Sequence, residues 1–303
     1  MNSNINGQRF HLVLSFVLCV SCIVLSSAHA DELNVNATLP NLGTKVGVTM
    51  TDSGLKTVRY QDTGRFGLFE GDILVIPAQS GIAKFEARTT DGVVIDGFRW
   101  PAKTLHYRFD SVTQAVKDMV RAATQHITDS TGVVFIELPA QVDAGTPYHV
   151  RVQDDDFACY SYVGRLKPFF SDNHQALNVV PQCGFGATVH EFLHALGMYH
   201  EQSREDRDDH VTILFQNIES GKEHNFGKAV DDASDIAEYS YGSIMHYSRY
   251  AFSKNGLPTI ESKPPGSTLG QRDGMSESDI KSINDAYSTS EGAIIPTILF
   301  LLE

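Results

Sequence analysis

The chain has 303 residues, of which 42% are hydrophobic and 20% are charged. This composition is that of an ordinary globular protein, which excludes the disordered and fibrous classes, and the length suits one large domain or two small ones. The formal net charge of −13 argues against a nucleic-acid partner, because nucleic-acid binders normally present a basic surface.

The first thirty residues have the features of a secretory signal peptide. Arg9 precedes an apolar run over 12–25, which is too short for a comfortable transmembrane helix, and the sequence Ala-His-Ala ends at Ala30. We predict cleavage after Ala30 and a secreted protein without stable membrane insertion. An uncleaved N-terminal anchor is the alternative. Asn36 lies in an Asn-Ala-Thr glycosylation sequence.

The cysteines agree with an extracellular location. Cys19 and Cys22 lie inside the predicted signal peptide, so an even pair, Cys159 and Cys183, remains in an oxidising compartment. One disulfide is the simple prediction, and a free buried pair is the alternative.

Secondary structure is easier to predict after Trp100 than before it. Residues 31–88 are rich in Gly, Thr and Asp and show only weak periodicity. Apolar residues at three- and four-residue spacing predict a helix over 111–130, which Ser111 and Gln114 would begin as a capping box and Gly132 would end. The other predicted elements are strands over 105–109, 133–138, 148–152 and 177–180, and helices over 187–196 and 276–287.

The most informative pattern is HExxHxxGxxH, which begins at His190. On a helix, His190 and His194 lie one turn apart and point the same way, so both can bind one ion. Gly197 can adopt the left-handed conformation that turns the chain back and brings His200 to the same ion. Three protein ligands leave one position open, as in catalytic zinc sites.

Glu191 lies about 100° around the helix from His190, beside the ion without being its ligand. A carboxylate there can accept a proton from water that zinc has acidified and pass it to a leaving amine, which is the chemistry of peptide hydrolysis. The five-position pattern is the metzincin signature. A helix with surface histidines and no metal is the alternative.

The segments around this pattern resemble the astacin family of zinc endopeptidases. The resemblance covers about 100–287 and includes the segments 159–165, 201–208, 243–247 and 270–272, together with the sequence FEGDI at 69–73. It implies a two-lobed α+β fold. The N-terminal lobe would hold a small twisted mixed sheet and two helices, the C-terminal lobe would be irregular, and one zinc ion would lie in the cleft between them.

The resemblance also implies roles for five further residues. Met245 would form an apolar floor beneath the metal, and Tyr247 would stabilise the transition state. Glu201 would receive the new N-terminus after activation, and Arg272 would border the pocket for the residue after the scissile bond. Asp72 would occupy the open zinc position in a precursor. The plainer alternatives are a buried tyrosine at 247, an arginine that holds its loop at 272 and a simple turn at 72.

We therefore predict a secreted zinc endopeptidase that is made as a zymogen and acts on proteins or peptides. An activating protease would cut near Arg88–Thr89. A zinc-binding protein without physiological proteolysis and a zinc hydrolase with non-peptide substrates are the alternatives. The predicted segments are a signal peptide (1–30), a propeptide (31–88), a catalytic domain (89–289) and an apolar tail (290–303).

Overall fold

The computed structural model describes residues 39–51, 54–77, 99–143, 145–155, 158–167, 172–228 and 237–288. The predicted signal peptide, Asn36, the cleavage point Arg88–Thr89 and the apolar tail lie outside these residues. Within the described ranges, no helix is both long and apolar enough to cross a membrane.

Four strands form in the N-terminal region whose periodicity is weak. They are β1 (Thr44–Thr51), β2 (Gly54–Asp62), β3 (Gly67–Phe69) and β4 (Ile73–Pro77). Each pairs antiparallel with the next, and β1 also pairs with β4, so the four strands curl round on themselves. Glycines are required here because the Tyr60 ring lies against the backbone. A Cβ would approach that ring to 2.9 Å at Gly47 and to 2.3 Å at Gly67.

These strands extend a mixed sheet to nine strands. The remaining five are β5 (Thr104–Phe109), β6 (Val134–Glu137), β7 (His149–Gln153), β8 (Tyr160–Ser161) and β9 (His174–Asn178). The strand order is β1-β2-β3-β4-β8-β9-β7-β5-β6. Strand β4 joins the sheet at β8, where Ile73 lies opposite Ser161 in parallel pairing. The predicted mixed sheet is confirmed, and the N-terminal region contributes four of its strands.

Two helices, α1 (Gln114–Thr131) and α2 (Gly184–Leu196), pack in one hydrophobic core with the sheet, as predicted. Helix α1 ends at Gly132, whose φ of 72° is left-handed. The predicted capping box at Ser111 is wrong. Thr113 is the N-cap, and its side-chain oxygen accepts from the Val116 N–H at 3.4 Å. The Thr113 N–H in turn donates to Asp154, which fixes the start of the helix against the sheet.

The rest of the chain has little regular structure, as predicted for the C-terminal lobe. Its elements are α3 (Arg207–His210), β10 (Val211–Ile213), β11 (Ile260–Ser262) and α4 (Glu277–Ser288). Helix α4 returns to the core of the first lobe, where Tyr287 donates a hydrogen bond to the Leu196 carbonyl at the end of α2. Ser276 caps α4, and its hydroxyl oxygen accepts from the Asp279 N–H at 3.2 Å.

The predicted disulfide between Cys159 and Cys183 is confirmed, with an S–S distance of 1.97 Å. It ties the residue before β8 to the residue before α2. Because α2 carries the first histidines of the zinc pattern, this bond joins strand β8 in the interior of the sheet to the helix that holds those histidines.

Candidate metal centre

Helix α2 and the turn after it bring three histidines together. His190 and His194 share one face of the helix, and Gly197 ends it with a φ of 113°. The chain then turns back, and the His200 ring centroid lies 5.1 Å from that of His190 and 4.8 Å from that of His194. All three rings are buried. The geometry predicted from the histidine spacing is therefore present.

Asp72, in the turn between β3 and β4, lies against all three rings. One of its carboxylate oxygens is 3.3 Å from His190 Nε2, and the other is 3.6 Å from His194 Nε2 and 3.3 Å from His200 Nε2. The Asp72 backbone carbonyl accepts from the Ser161 N–H at 3.0 Å, which fixes the turn to strand β8.

These four side chains fit a zinc ion. Tetrahedral ligands at roughly 2.1 Å from zinc are about 3.4 Å apart, close to the separations between Asp72 and the rings. Nε2 of His190, Nε2 of His194 and one Asp72 oxygen are buried without a hydrogen-bond partner. Buried polar atoms are nearly always satisfied, so converging atoms of this kind indicate an ion. Among the described residues, this is the one cluster of such ligands.

The other ring nitrogen of each histidine is held by an acceptor. Nδ1 donates to the Ile244 carbonyl in His190 (2.9 Å) and to the Met198 carbonyl in His194 (2.7 Å). In His200, Nδ1 lies 2.7 Å from the Glu70 carboxylate. Acceptors at Nδ1 fix the tautomer and leave the Nε2 lone pair for the metal.

The charges around the rings also suit a cation. Burial lowers the pKa of His190 to about 3 and lowers that of His194, so these rings are neutral ligands. Burial also lowers the pKa of His200, but the carboxylates of Asp72 and Glu70 outweigh it and raise that pKa to about 9. Burial raises the pKa of Asp72, and the histidines more than offset this and hold it well below its usual value. A positive charge is therefore favoured among these groups.

Glu70 is a site residue that the sequence interpretation missed. Its side chain is 1% exposed, with one oxygen at His200 Nδ1 and the other accepting from Ser203 Oγ at 2.7 Å. Its backbone has a φ of 49°, a left-handed conformation that is uncommon outside glycine. Its backbone carbonyl accepts a hydrogen bond from the Tyr247 hydroxyl. Nothing in the letters FEGDI distinguishes this glutamate from a surface acid.

The remaining predicted residues surround the cluster. Glu191 is buried within α2, directly after His190, and Met245 is fully buried in the core. The turn that carries Met245 is held by Asp279 of α4, which accepts from Ser243 Oγ at 2.6 Å and from the Ile244 N–H at 3.0 Å. Asp279 was also missed. Only the fold brings it to this turn, from a helix that follows more than thirty residues later in the chain.

Glu201 and Arg272 both contact the backbone of the turn that carries Met245. Glu201 accepts from the Ser240 N–H at 2.7 Å, and its burial raises its pKa to about 7. Nη1 of Arg272 donates to the carbonyls of Ile244 (2.8 Å) and His246 (3.2 Å). These contacts support the loop-holding alternative for Arg272, and its predicted role in a substrate pocket stays a prediction.

The α+β fold with three histidines from one helix and its return loop defines a metzincin-type zinc protein. A model of the astacin peptidase family matches residues 95–288. The chain therefore belongs to the astacin family, and His190, His194 and His200 form the zinc site typical of that family.

Individual proteins agree with this assignment. Protein SpAN from Strongylocentrotus purpuratus is 35% identical over 241 residues, which are 74% of this chain and 38% of SpAN. Meprin A subunit beta from Rattus norvegicus is 36% identical over 242 residues, 78% of this chain and 32% of the meprin subunit. The chain thus spans less than half the length of either protein. The structure of high choriolytic enzyme 1, a hatching enzyme zinc-protease from Oryzias latipes, superposes with a TM-score of 0.56 at 31% identity, covering 66% of this chain and 98% of the medaka chain.

Proposed function

We propose that this chain is a secreted zinc-dependent endopeptidase that is made as a zymogen and cleaves protein substrates. The observation that carries the proposal is the convergence of His190, His194, His200 and Asp72, with Glu191 adjacent to the first ligand. The three histidines come from the segment that belongs to the astacin family, whereas Asp72 comes from the N-terminal strands outside it. A complete ligand set with one removable member is what a latent metalloenzyme requires.

The protein supplies the proton transfers of the reaction. When bound, zinc lowers the pKa of water and polarises the carbonyl of a peptide bond. Glu191 accepts the proton of the attacking water and delivers it to the leaving amine. The burial of Glu191 keeps its carboxylate out of bulk water, so the proton is retained near the reacting groups.

Tyr247 supplies a donor for the developing negative charge. Its hydroxyl donates to the Glu70 carbonyl, so the N-terminal segment holds the tyrosine in place. Its backbone N–H donates to Gln202 at 2.9 Å, which anchors the main chain of the residue. Removal of Glu70 would free the hydroxyl to donate to the carbonyl oxygen of a substrate, the usual form of electrostatic stabilisation of a transition state.

The precursor would be inactive because the N-terminal strands cover both the metal site and the neighbouring strand β8. Asp72 takes the ligand position that water must occupy, and β4 pairs with β8, an edge to which an extended peptide could bind. Cleavage by an activating protease near Arg88–Thr89 would release residues 31–88 from the domain 89–289. Glu201, which is buried, would then receive the new N-terminus.

Secretion is supported by the signal-peptide pattern of 1–30 and by the disulfide between Cys159 and Cys183, a bond typical of oxidising compartments. N-terminal sequencing of the secreted protein tests both predicted cleavage points. Cleavage after Ala30 would make Asp31 the first residue of the precursor. Cleavage after Arg88 would make Thr89 the first residue of the mature enzyme.

The matured protein should digest casein or gelatin, and phenanthroline should abolish the digestion until zinc is restored. Zinc occupancy without digestion of any protein would favour the zinc-binding alternative. Hydrolysis of non-peptide esters or amides with no proteolysis would favour the other alternative, a zinc hydrolase of different specificity.

Tyr247→Phe should lower kcat by about tenfold or more and change KM little, because its hydrogen bond forms mainly in the transition state. The measurement is steady-state cleavage of a fluorogenic peptide by the matured enzyme. Tyr250→Phe, a change at an exposed tyrosine, is the matched control. A change confined to KM would assign Tyr247 to substrate binding instead.

Arg272→Ala should abolish a preference for Asp or Glu directly after the scissile bond, because a guanidinium pairs with carboxylates through charge-assisted hydrogen bonds. Peptide-library profiling gives the preference, and thermal unfolding separates the two roles. An arginine that only holds its loop would lower the unfolding midpoint when replaced and leave the preference of the enzyme intact.

A further inference from the structure

His246 is a fully buried histidine that lies outside the set of zinc ligands. Its Nδ1 is 2.7 Å from the Tyr247 carbonyl oxygen, and its Nε2 is 2.7 Å from the Tyr239 hydroxyl oxygen. The backbone N–H of Tyr247 donates to the amide oxygen of Gln202, a second fully buried side chain. Both polar groups of the Tyr247 main chain are therefore bonded to buried side chains.

The direction of each hydrogen bond follows from the chemistry of the three groups. Burial lowers the pKa of His246 to about 4, so the ring is neutral near pH 7 and carries one N–H. A carbonyl oxygen can only accept, which places that hydrogen on Nδ1 and leaves Nε2 as the acceptor. The Tyr239 hydroxyl is then the donor to Nε2, and burial raises its pKa, which keeps it protonated.

Tyr239 is itself held by contacts on its ring. The ring stacks on that of His210, with centroids 4.4 Å apart and planes inclined by 7°. On Tyr239 also lies the Arg204 guanidinium, whose central carbon is 5.7 Å from the ring centre. Two hydrogen bonds of 2.9 and 2.8 Å to the Asp206 carboxylate fix that guanidinium. The hydroxyl that orients His246 is therefore attached to a ring with a defined position.

The main chain of Tyr247 gains importance when the precursor is cleaved. In the full chain the phenol is also held from its far end, because it donates to the Glu70 carbonyl of the N-terminal strands. Once these strands leave, that contact is lost, and the hydrogen bonds of the main chain remain. A donor that stabilises a transition state must be placed within a fraction of an ångström, so the support of its backbone affects the rate.

We propose that Tyr239 and His246 are positioning residues for Tyr247. The hydrogen bonds that run from Tyr239 through His246 to the Tyr247 carbonyl hold the main chain from which the phenol reaches the substrate. Both residues act through Tyr247, and the proposal rests on the proposed protease function.

The first test is Tyr239→Phe in the matured enzyme, which keeps the stacked ring and removes only the hydroxyl. The kcat for a fluorogenic peptide should fall by roughly three- to tenfold with KM unchanged, the range expected for one hydrogen bond between neutral groups. The matched control is Tyr241→Phe. The Tyr241 hydroxyl donates to the carbonyls of His210 and Lys263 instead, and its loss should leave kcat unchanged.

A double-mutant cycle separates positioning from general damage to the fold. In a Tyr247→Phe background, Tyr239→Phe should cause no further loss of kcat, because the hydroxyl that it positions is already gone. An unchanged kcat in Tyr239→Phe alone would overturn the proposal. The same loss of kcat with and without the Tyr247 hydroxyl would also overturn it, since the effect would then not pass through Tyr247.

A second measurement needs no proteolysis. In the zinc-loaded precursor labelled with ¹⁵N at histidine, NMR should show a neutral His246 ring with its hydrogen on Nδ1 at pH 7. The His246 signals are identified by their absence in His246→Asn. A hydrogen on Nε2, or a charged ring, would overturn the proposed order of hydrogen bonds. A wild-type matured enzyme that shows the Nδ1–H signature and cleaves no peptide would instead overturn the proposed function, so the two failures differ.

Discussion

Glu191→Gln should reduce kcat/KM of the matured enzyme by about 10²–10⁴-fold while zinc content and folding stay normal, because general acid–base catalysis contributes a factor of this size. Glutamine has nearly the same shape as glutamate, so the buried position in α2 remains filled, but the amide cannot accept a proton from water. The measurements are steady-state kinetics, metal analysis and thermal unfolding of the same preparation.

The matched control is Glu205→Gln, which removes one carboxylate from the exposed surface a few residues beyond the third histidine. It should leave the kinetics unchanged. Activity near that of the wild type in Glu191→Gln, at full zinc occupancy, would show that another group takes the proton and that the assignment of Glu191 is wrong.

Asp72→Ala should give an uncleaved precursor with zinc-dependent activity at least about tenfold above that of the wild-type precursor. A tethered ligand acts at a millimolar effective concentration, so losing its metal contact opens the position to water and substrate for a sizeable fraction of the time. The measurement is peptide cleavage by precursors whose integrity is checked on gels before and after the assay.

Asp62→Ala provides the control for general weakening of the N-terminal strands. Asp62 pairs with Lys45 at 2.6 Å on the surface of the same strands, away from the histidines. Its replacement should leave latency intact. An Asp72→Ala precursor that is folded, zinc-loaded and as inactive as the wild type would show that steric cover by the strands, rather than metal ligation, causes the latency.

The zinc site could be predicted because its ligands are local in sequence. The spacing of His190 and His194 follows from the period of a helix, and Gly197 permits the turn that returns His200. The helices and most strands after Trp100 were predicted for a similar reason, since their apolar periodicity is strong. The start of α1 was predicted wrongly at Ser111. Thr113 caps the helix instead, because it contacts both Val116 and Asp154.

The N-terminal strands were not predicted because their periodicity is weak and their glycines depress strand propensity. Those glycines have a tertiary reason, since Tyr60 packs across the backbone at Gly47 and Gly67. A contact between residues distant in sequence leaves no periodic signal at either one. The family resemblance could associate the sequence FEGDI with Asp72, but it could not reveal the strands that deliver it.

The sequence by itself determined the metal ligands, the family and the α+β class, because each depends on residue types at short, fixed spacing, and it predicted Glu191 as the general acid–base residue. Only the tertiary structure decided what surrounds them. Glu70 reaches His200 across 130 residues, and Lys222 reaches Gln61 across 161. Such pairings arise from the closure of long loops around a packed core, and they are fixed by the fold as a whole rather than by any local pattern of the chain.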